Sequence, residues 1–159
     1  VFLGALAFLL LGGIMDKTFF DHGLRFSCTR CNMCCRHESG YVFLSDNDIG
    51  KLAAFFSISQ DEFKKKYTRM VDLGVAKRRT LLEQENFDCI FWSEGGCSVY
   101  PVRPLQCKSY PFWNSHLHSQ EAWDQVEKEC PGVNIGKHHP GDTIKRWIDL
   151  RKAEPFTEE

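Results

Sequence analysis

The chain has 159 residues, 43% hydrophobic and 26% charged, with a formal net charge of -1, which fits one ordinary domain with room for a real apolar core. Near-neutral charge excludes the bulk basic footprint of a nucleic-acid binder or of a protein drawn to an anionic membrane surface. Eight cysteines exceed ordinary usage yet fall short of the density of a short disulfide-stapled scaffold.

An apolar run without a single charge, residues 1–15, opens the chain. A spanning helix needs roughly 20 such residues, Gly12-Gly13 weakens the end of this one, and no basic segment precedes it as a secretory signal requires. It reads as an over-extended gene start with Met15 as the true initiator, as a truncated anchor or cut-off signal, or as a buried N-terminal helix. We adopt the first reading, with 1–14 an extension, 15–154 the domain and 155–159 a frayed tail. That start implies a reducing cytoplasm, thiols free for metal, and no membrane association unless the run is a genuine anchor.

Residues 41–44 read as a short strand. Ser45-Asp46-Asn47-Asp48 offers N-cap oxygens to a helix on which Ile49, Leu52, Ala53 and Phe56 recur at helical spacing. Ser59 and Glu62 form a capping-box pair opening a second helix through about Met70, with Phe63, Tyr67 and Met70 inward. Gly74 ends that segment. Glu94-Gly95-Gly96 reads as a hairpin turn, from which residues 97–100 return as the partner strand. Pro104 suits the first turn of a short helix carrying Cys107, and residues 110–113 form an extended, aromatic exit. A helix over 119–129 places Ala122, Trp123 and Val126 on one face and stops at Pro131-Gly132. Asp142 caps a last helix whose apolar side is Ile144, Trp147, Ile148 and Leu150. The sum is an α+β fold: one small domain, several short helices and a β-hairpin around a cysteine-ligated metal site.

The strongest chemical signal is Cys28-x-x-Cys31-x-x-Cys34-Cys35. Two residues between thiols let a tight turn aim both sulfurs at one centre, and the repeated spacing matches the first three ligands of the bacterial ferredoxin run. Adjacent residues rarely reach one metal without strain, so Cys35 is expected to look away from Cys34. One division places Cys28, Cys31, Cys34 and Cys130 on one centre and Cys35, Cys89, Cys97 and Cys107 on another; other divisions fit equally well. A disulfide framework also matches the even count, but the 28–35 group is too clustered to close useful loops within itself.

The chain resembles the YkgJ-type cysteine-cluster family, CxxCxxCC, over roughly residues 24–135. The resemblance is carried by Cys28-Thr29-Arg30-Cys31-Asn32-Met33-Cys34-Cys35, by Cys89-Ile90-Phe91, by the run from Cys97-Ser98-Val99-Tyr100-Pro101 through Arg103-Pro104 and Cys107 to Tyr110-Pro111-Phe112, and by Cys130-Pro131-Gly132. It implies zinc or iron–sulfur binding, with 4Fe-4S favoured, through these cysteines in a bacterial cytoplasm. It settles no reaction; some relatives are described as flagellin lysine N-methylases.

Arg103, four residues before Cys107, is a candidate to offset thiolate charge and raise a reduction potential. Arg30, Arg36 and Lys108 flank ligand cysteines and are weaker candidates for the same part. Tyr110, Phe112 and Trp113 read first as core. His37, His116, His118, His138 and His139 are the weakest ligand candidates, the last four looking exposed. No phosphate-cradling loop, catalytic triad or methyl-donor motif is visible, so a self-contained enzyme is not expected. The leading expectation is an iron–sulfur protein for electron transfer or redox sensing with a protein partner. Its alternatives are a structural zinc module for partner recognition and a protein lysine N-methylase.

Overall fold

Residues 17–36 and 38–158 are described by the computed structural model; the apolar extension 1–14, Met15 and His37 lie outside them. The architecture is the expected α+β domain, built from short helices and three two-stranded antiparallel pairs. Strand β1 (Leu24–Phe26) pairs with β6 (Val133–His139), β2 (Thr68–Asp72) with β3 (Lys77–Leu81), and β4 (Trp92–Ser93) with β5 (Gly96–Cys97).

Helix α1 (Asp46–Phe55) starts where its caps dictate. Ser45 Oγ accepts from the Asp48 amide at 3.1 Å, and Asp48 Oδ2 accepts back from the Ser45 amide at 3.0 Å. Ile49, Leu52 and Ala53 are buried on one face. Helix α2 (Gln60–Tyr67) starts with Ser59 Oγ accepting from the Glu62 amide. It ends at Tyr67, three residues before the expected Met70. Thr68 closes it by donating its hydroxyl to the Lys64 carbonyl at 2.6 Å, and residues 68–72 turn extended to pair with β3. Pairing partners set that boundary, which helical spacing does not register.

The hairpin at Glu94-Gly95 is as expected, although its second strand is only Gly96–Cys97; Tyr100–Val102 is a 3-10 turn. Helix α3 (Leu105–Ser109) follows Pro104, and α4 (Asn114–Leu117) follows the aromatic segment. Helix α5 (Gln120–Glu129) buries Trp123 and Val126. Helix α6 (Gly141–Ala153) has Pro140, not Asp142, at its N-cap, and Leu150 is exposed, contrary to expectation. Residues 155–158 of the tail expected to fray lie against the domain: the Thr157 amide donates to the Leu44 carbonyl at 2.7 Å and its hydroxyl to Asp46 at 2.8 Å.

Two apolar clusters form the interior. One gathers Phe20, Phe112, Trp123, Val126, Val133 and Ile144 from the chain's ends and from the segment that includes α5. The other gathers Leu44, Ile49, Leu52, Phe63, Leu81, Phe91 and Val99 from the middle. Cys130 belongs to the first, while Cys89 and Cys97 pack against the second. The cysteines therefore lie where the two clusters meet.

Candidate metal centre

All eight cysteines, Cys28, Cys31, Cys34, Cys35, Cys89, Cys97, Cys107 and Cys130, line a single cavity of about 370 Å³. They arrive on five pieces of chain. Cys28 and Cys31 stand on the loop after β1, Cys34 and Cys35 on the 3-10 turn Met33–Cys35, and Cys89 on the approach to β4. Cys97 ends β5, Cys107 sits in α3, and Cys130 caps α5. All are free thiols.

Local chemistry bends the first loop around the cavity. Arg30 and Asn32, alternating with the thiols, both take left-handed backbone conformations, with φ of 56° and 62°; such conformations are uncommon outside glycine and reverse the chain tightly. The Cys35 amide donates to the Asn32 carbonyl at 2.9 Å, and the Cys35 carbonyl accepts from the Cys89 amide at 2.8 Å. Farther along, Ser27 donates its amide to the Gly132 carbonyl at 3.1 Å. A Cβ on Gly132 would run into the Ser27 carbonyl oxygen, so glycine after Cys130-Pro131 lets the two ends of the cysteine set approach.

The Sγ atoms of Cys34 and Cys35 lie 3.7 Å apart. The vicinal pair thus faces one space, where neighbouring residues were expected to diverge; the tight 3-10 turn swings both side chains the same way. Among the described residues, no three Cys, His, Asp or Glu side chains close on a single point. The thiols share a chamber without forming a closed coordination set in it.

Burial raises the Cys89 thiol to about 11 and pushes Cys97 and Cys107 up as well. Cys34 is raised first by its hydrogen bond with Cys35 and then by burial. Arg103 opposes the rise at both Cys34 and Cys97. These thiols hold their protons at neutral pH; a bound metal would displace those protons to solvent, its charge offsetting the burial penalty on the thiolates.

Arg103, Arg30 and Lys108 all line the cavity. The Arg103 guanidinium lies 3.9 Å from the Tyr100 ring centroid and donates from Nη1 to the Tyr100 carbonyl at 2.8 Å. Arg30 approaches the same ring at 5.3 Å. Tyr100 is thus the fixture for two cations, a role that no spacing in the sequence marks. Arg36 is different: it pairs with buried Asp88 at 3.1 Å and stacks on Trp92 at 3.6 Å, away from the chamber.

Phe26, Phe91 and Tyr110 wall the cavity. Burial, followed by the neighbouring Cys130, raises the Tyr110 phenol, so it stays neutral. None of the described histidines lines the chamber. His116, expected to be exposed, is half-buried, stacks on Trp113 at 4.8 Å and bonds the Pro111 carbonyl. His138 and His139, expected in a loop, lie in β6. The sequence marks Asp48 only as a source of N-cap oxygens. Its Oδ1 also accepts from the Leu105 amide at 2.9 Å, so the residue that starts α1 also fixes the start of the helix bearing Cys107. No local pattern announces a bond across 57 positions.

The donor set fits a thiophilic metal centre: soft sulfur ligands in number, fixed cations and aromatic shielding suit zinc or an iron–sulfur cluster. Comparison with known proteins gives the same chemistry. Residues 27–131 match the family model CxxCxxCC, described as "Putative zinc- or iron-chelating domain". The uncharacterized protein MJ0661 of Methanocaldococcus jannaschii is 28% identical over 144 residues, 84% of this chain and 74% of its own length. No solved structure matches the chain.

Proposed function

The chain belongs to the CxxCxxCC metal-chelating family, and from that premise we propose that it holds an iron–sulfur cluster and serves electron transfer or redox sensing with a protein partner in a reducing compartment. The observation that carries this reading is the convergence of all eight thiols on one chamber, walled by rings and flanked by Arg30, Arg103 and Lys108. Cys28, Cys31 and Cys34 are three of the ligands, at ferredoxin-like spacing, with the remainder drawn from the thiols facing them. The bound cluster supplies one-electron chemistry. Tyr100 and its two arginines keep positive charge beside it, and Phe26, Phe91 and Tyr110 limit water, both of which tune the potential.

A second reading, structural zinc, rests on the Cys34–Cys35 pair. Two sulfurs on one tetrahedral zinc stand about 3.8 Å apart when each bond is about 2.3 Å, close to the 3.7 Å found. Protein purified without oxygen decides between the two. Iron with acid-labile sulfide and a brown chromophore supports the cluster. Colourless protein with stoichiometric zinc supports the second reading and defeats the first.

A further inference from the structure

A second cavity of about 250 Å³ lies against the metal chamber. Cys34, Cys35, Cys89, Cys107 and Tyr110 line both spaces, so four of the thiols form a partition between them. Beyond that partition the outer cavity has its own chemistry. Tyr41, Phe87 and Trp113 join Tyr110 there, and Glu38, Glu83 and Gln106 form the polar part. Among the described residues no lysine, arginine or histidine lines it.

Phe87 supplies a separate observation. Its backbone sits in the left-handed region, at φ 66°, a conformation costly for a bulky side chain, and yet the residue, which lines the cavity, is 53% exposed. The strain is not compensated by burial of that residue. Tyr41, also in the lining, is 44% exposed. Glu83 is held in place: Oε1 accepts from the Gly40 amide at 2.7 Å, Oε2 accepts from the Ser39 hydroxyl at 3.0 Å, and Arg69 reaches Oε2 at 3.7 Å from outside the lining. Glu38 is exposed at the same cavity.

Aromatic residues beside carboxylates, with no cation among the described lining residues, are the chemistry that recognises an organic ammonium; Arg69, 5.6 Å from the Tyr41 ring centroid and paired with Glu83, makes the same kind of contact from the protein side. We infer that the outer cavity binds a small organic ammonium ion. Its volume suits a molecule smaller than a drug-sized ligand. An occupant there lies directly against the outer face of four cysteines of the metal chamber. The inference holds for either metal.

The test uses the metal-loaded full chain and calorimetric titration with choline, alongside its neutral isostere 3,3-dimethylbutan-1-ol. Choline is expected to bind saturably and roughly tenfold more tightly than the isostere. Phe87→Leu, which keeps an apolar side chain but removes the ring face, and Glu38→Gln are each expected to weaken choline several-fold while metal content and thermal unfolding stay as in the parent. Equal affinity for the two probes, absence of saturable choline binding, or unchanged affinity in both variants overturns the proposal. Iron and zinc analysis of the same preparations reports independently on the metal reading.

Discussion

Cys28, Cys31 and Cys34 sit on one loop whose left-handed turns at Arg30 and Asn32 aim them at one chamber. Replacing all three with serine is expected to abolish metal retention, read by elemental analysis; unchanged content shows that the ligands lie elsewhere. Arg103, stacked on Tyr100, places a permanent charge beside the centre. Arg103→Gln is expected to lower the reduction potential of an iron-loaded protein by on the order of 50 mV, while Arg36→Gln, whose parent pairs with Asp88, leaves it unchanged. The buried thiols give a pH dependence with a defined sign. Cys89 is raised from the ordinary 9.0 to about 11 in the folded metal-free chain, so the folded state holds more protons than the unfolded one between those values. Its contribution is complete below pH 9 and is lost as pH climbs toward 11; urea unfolding of the metal-free protein across that range checks it. The 28–35 cysteine run was legible in the sequence because its spacing is a local pattern. That Arg36 turns outward and Arg103 inward was not, since the choice depends on Asp88 and Tyr100, whose positions are tertiary.

Helix α1 shows how an element can be read correctly and understood only in part. Its start follows from Ser45 and Asp48, and those residues announce it. The second carboxylate oxygen of Asp48, however, holds the Leu105 amide, linking α1 to α3 and hence to Cys107. Asp48→Ala removes the cap and strands a buried amide, at an expected cost of about 2–3 kcal/mol in urea unfolding, together with reduced metal retention. Normal retention at reduced stability would separate the cap from the site. Elsewhere the boundaries set by pairing escaped the pattern. Met70 fits a helical stripe but lies opposite Arg79 in β2–β3. The strand containing His138 and His139 lacks alternation altogether and exists because β1 lies beside it.

Across the whole molecule, the chamber lies between two apolar clusters, with Cys130 in one and Cys89 and Cys97 against the other. A bound metal would tie together regions far apart in the chain, so its removal should loosen their junction before either cluster melts. Complete demetallation is expected to lower the thermal midpoint by about 10 °C or more, and an unchanged midpoint rules out this clasp. The α+β class followed from the run of short elements; the gathering of all eight cysteines on one chamber, where the sequence equally allowed two centres, and the division of the core into two clusters did not, because both arise from which distant segments pack.

The pairing of β1 with β6 brings residues 24–26 beside residues 133–139, and every cysteine falls in the span it encloses. Translation delivers that last strand only after Cys130. Cys130 lies only three residues before that strand, so the last sulfur and the closing strand leave the ribosome almost together, while the seven earlier sulfurs meet an incoming ion or an oxidant on an unfinished protein.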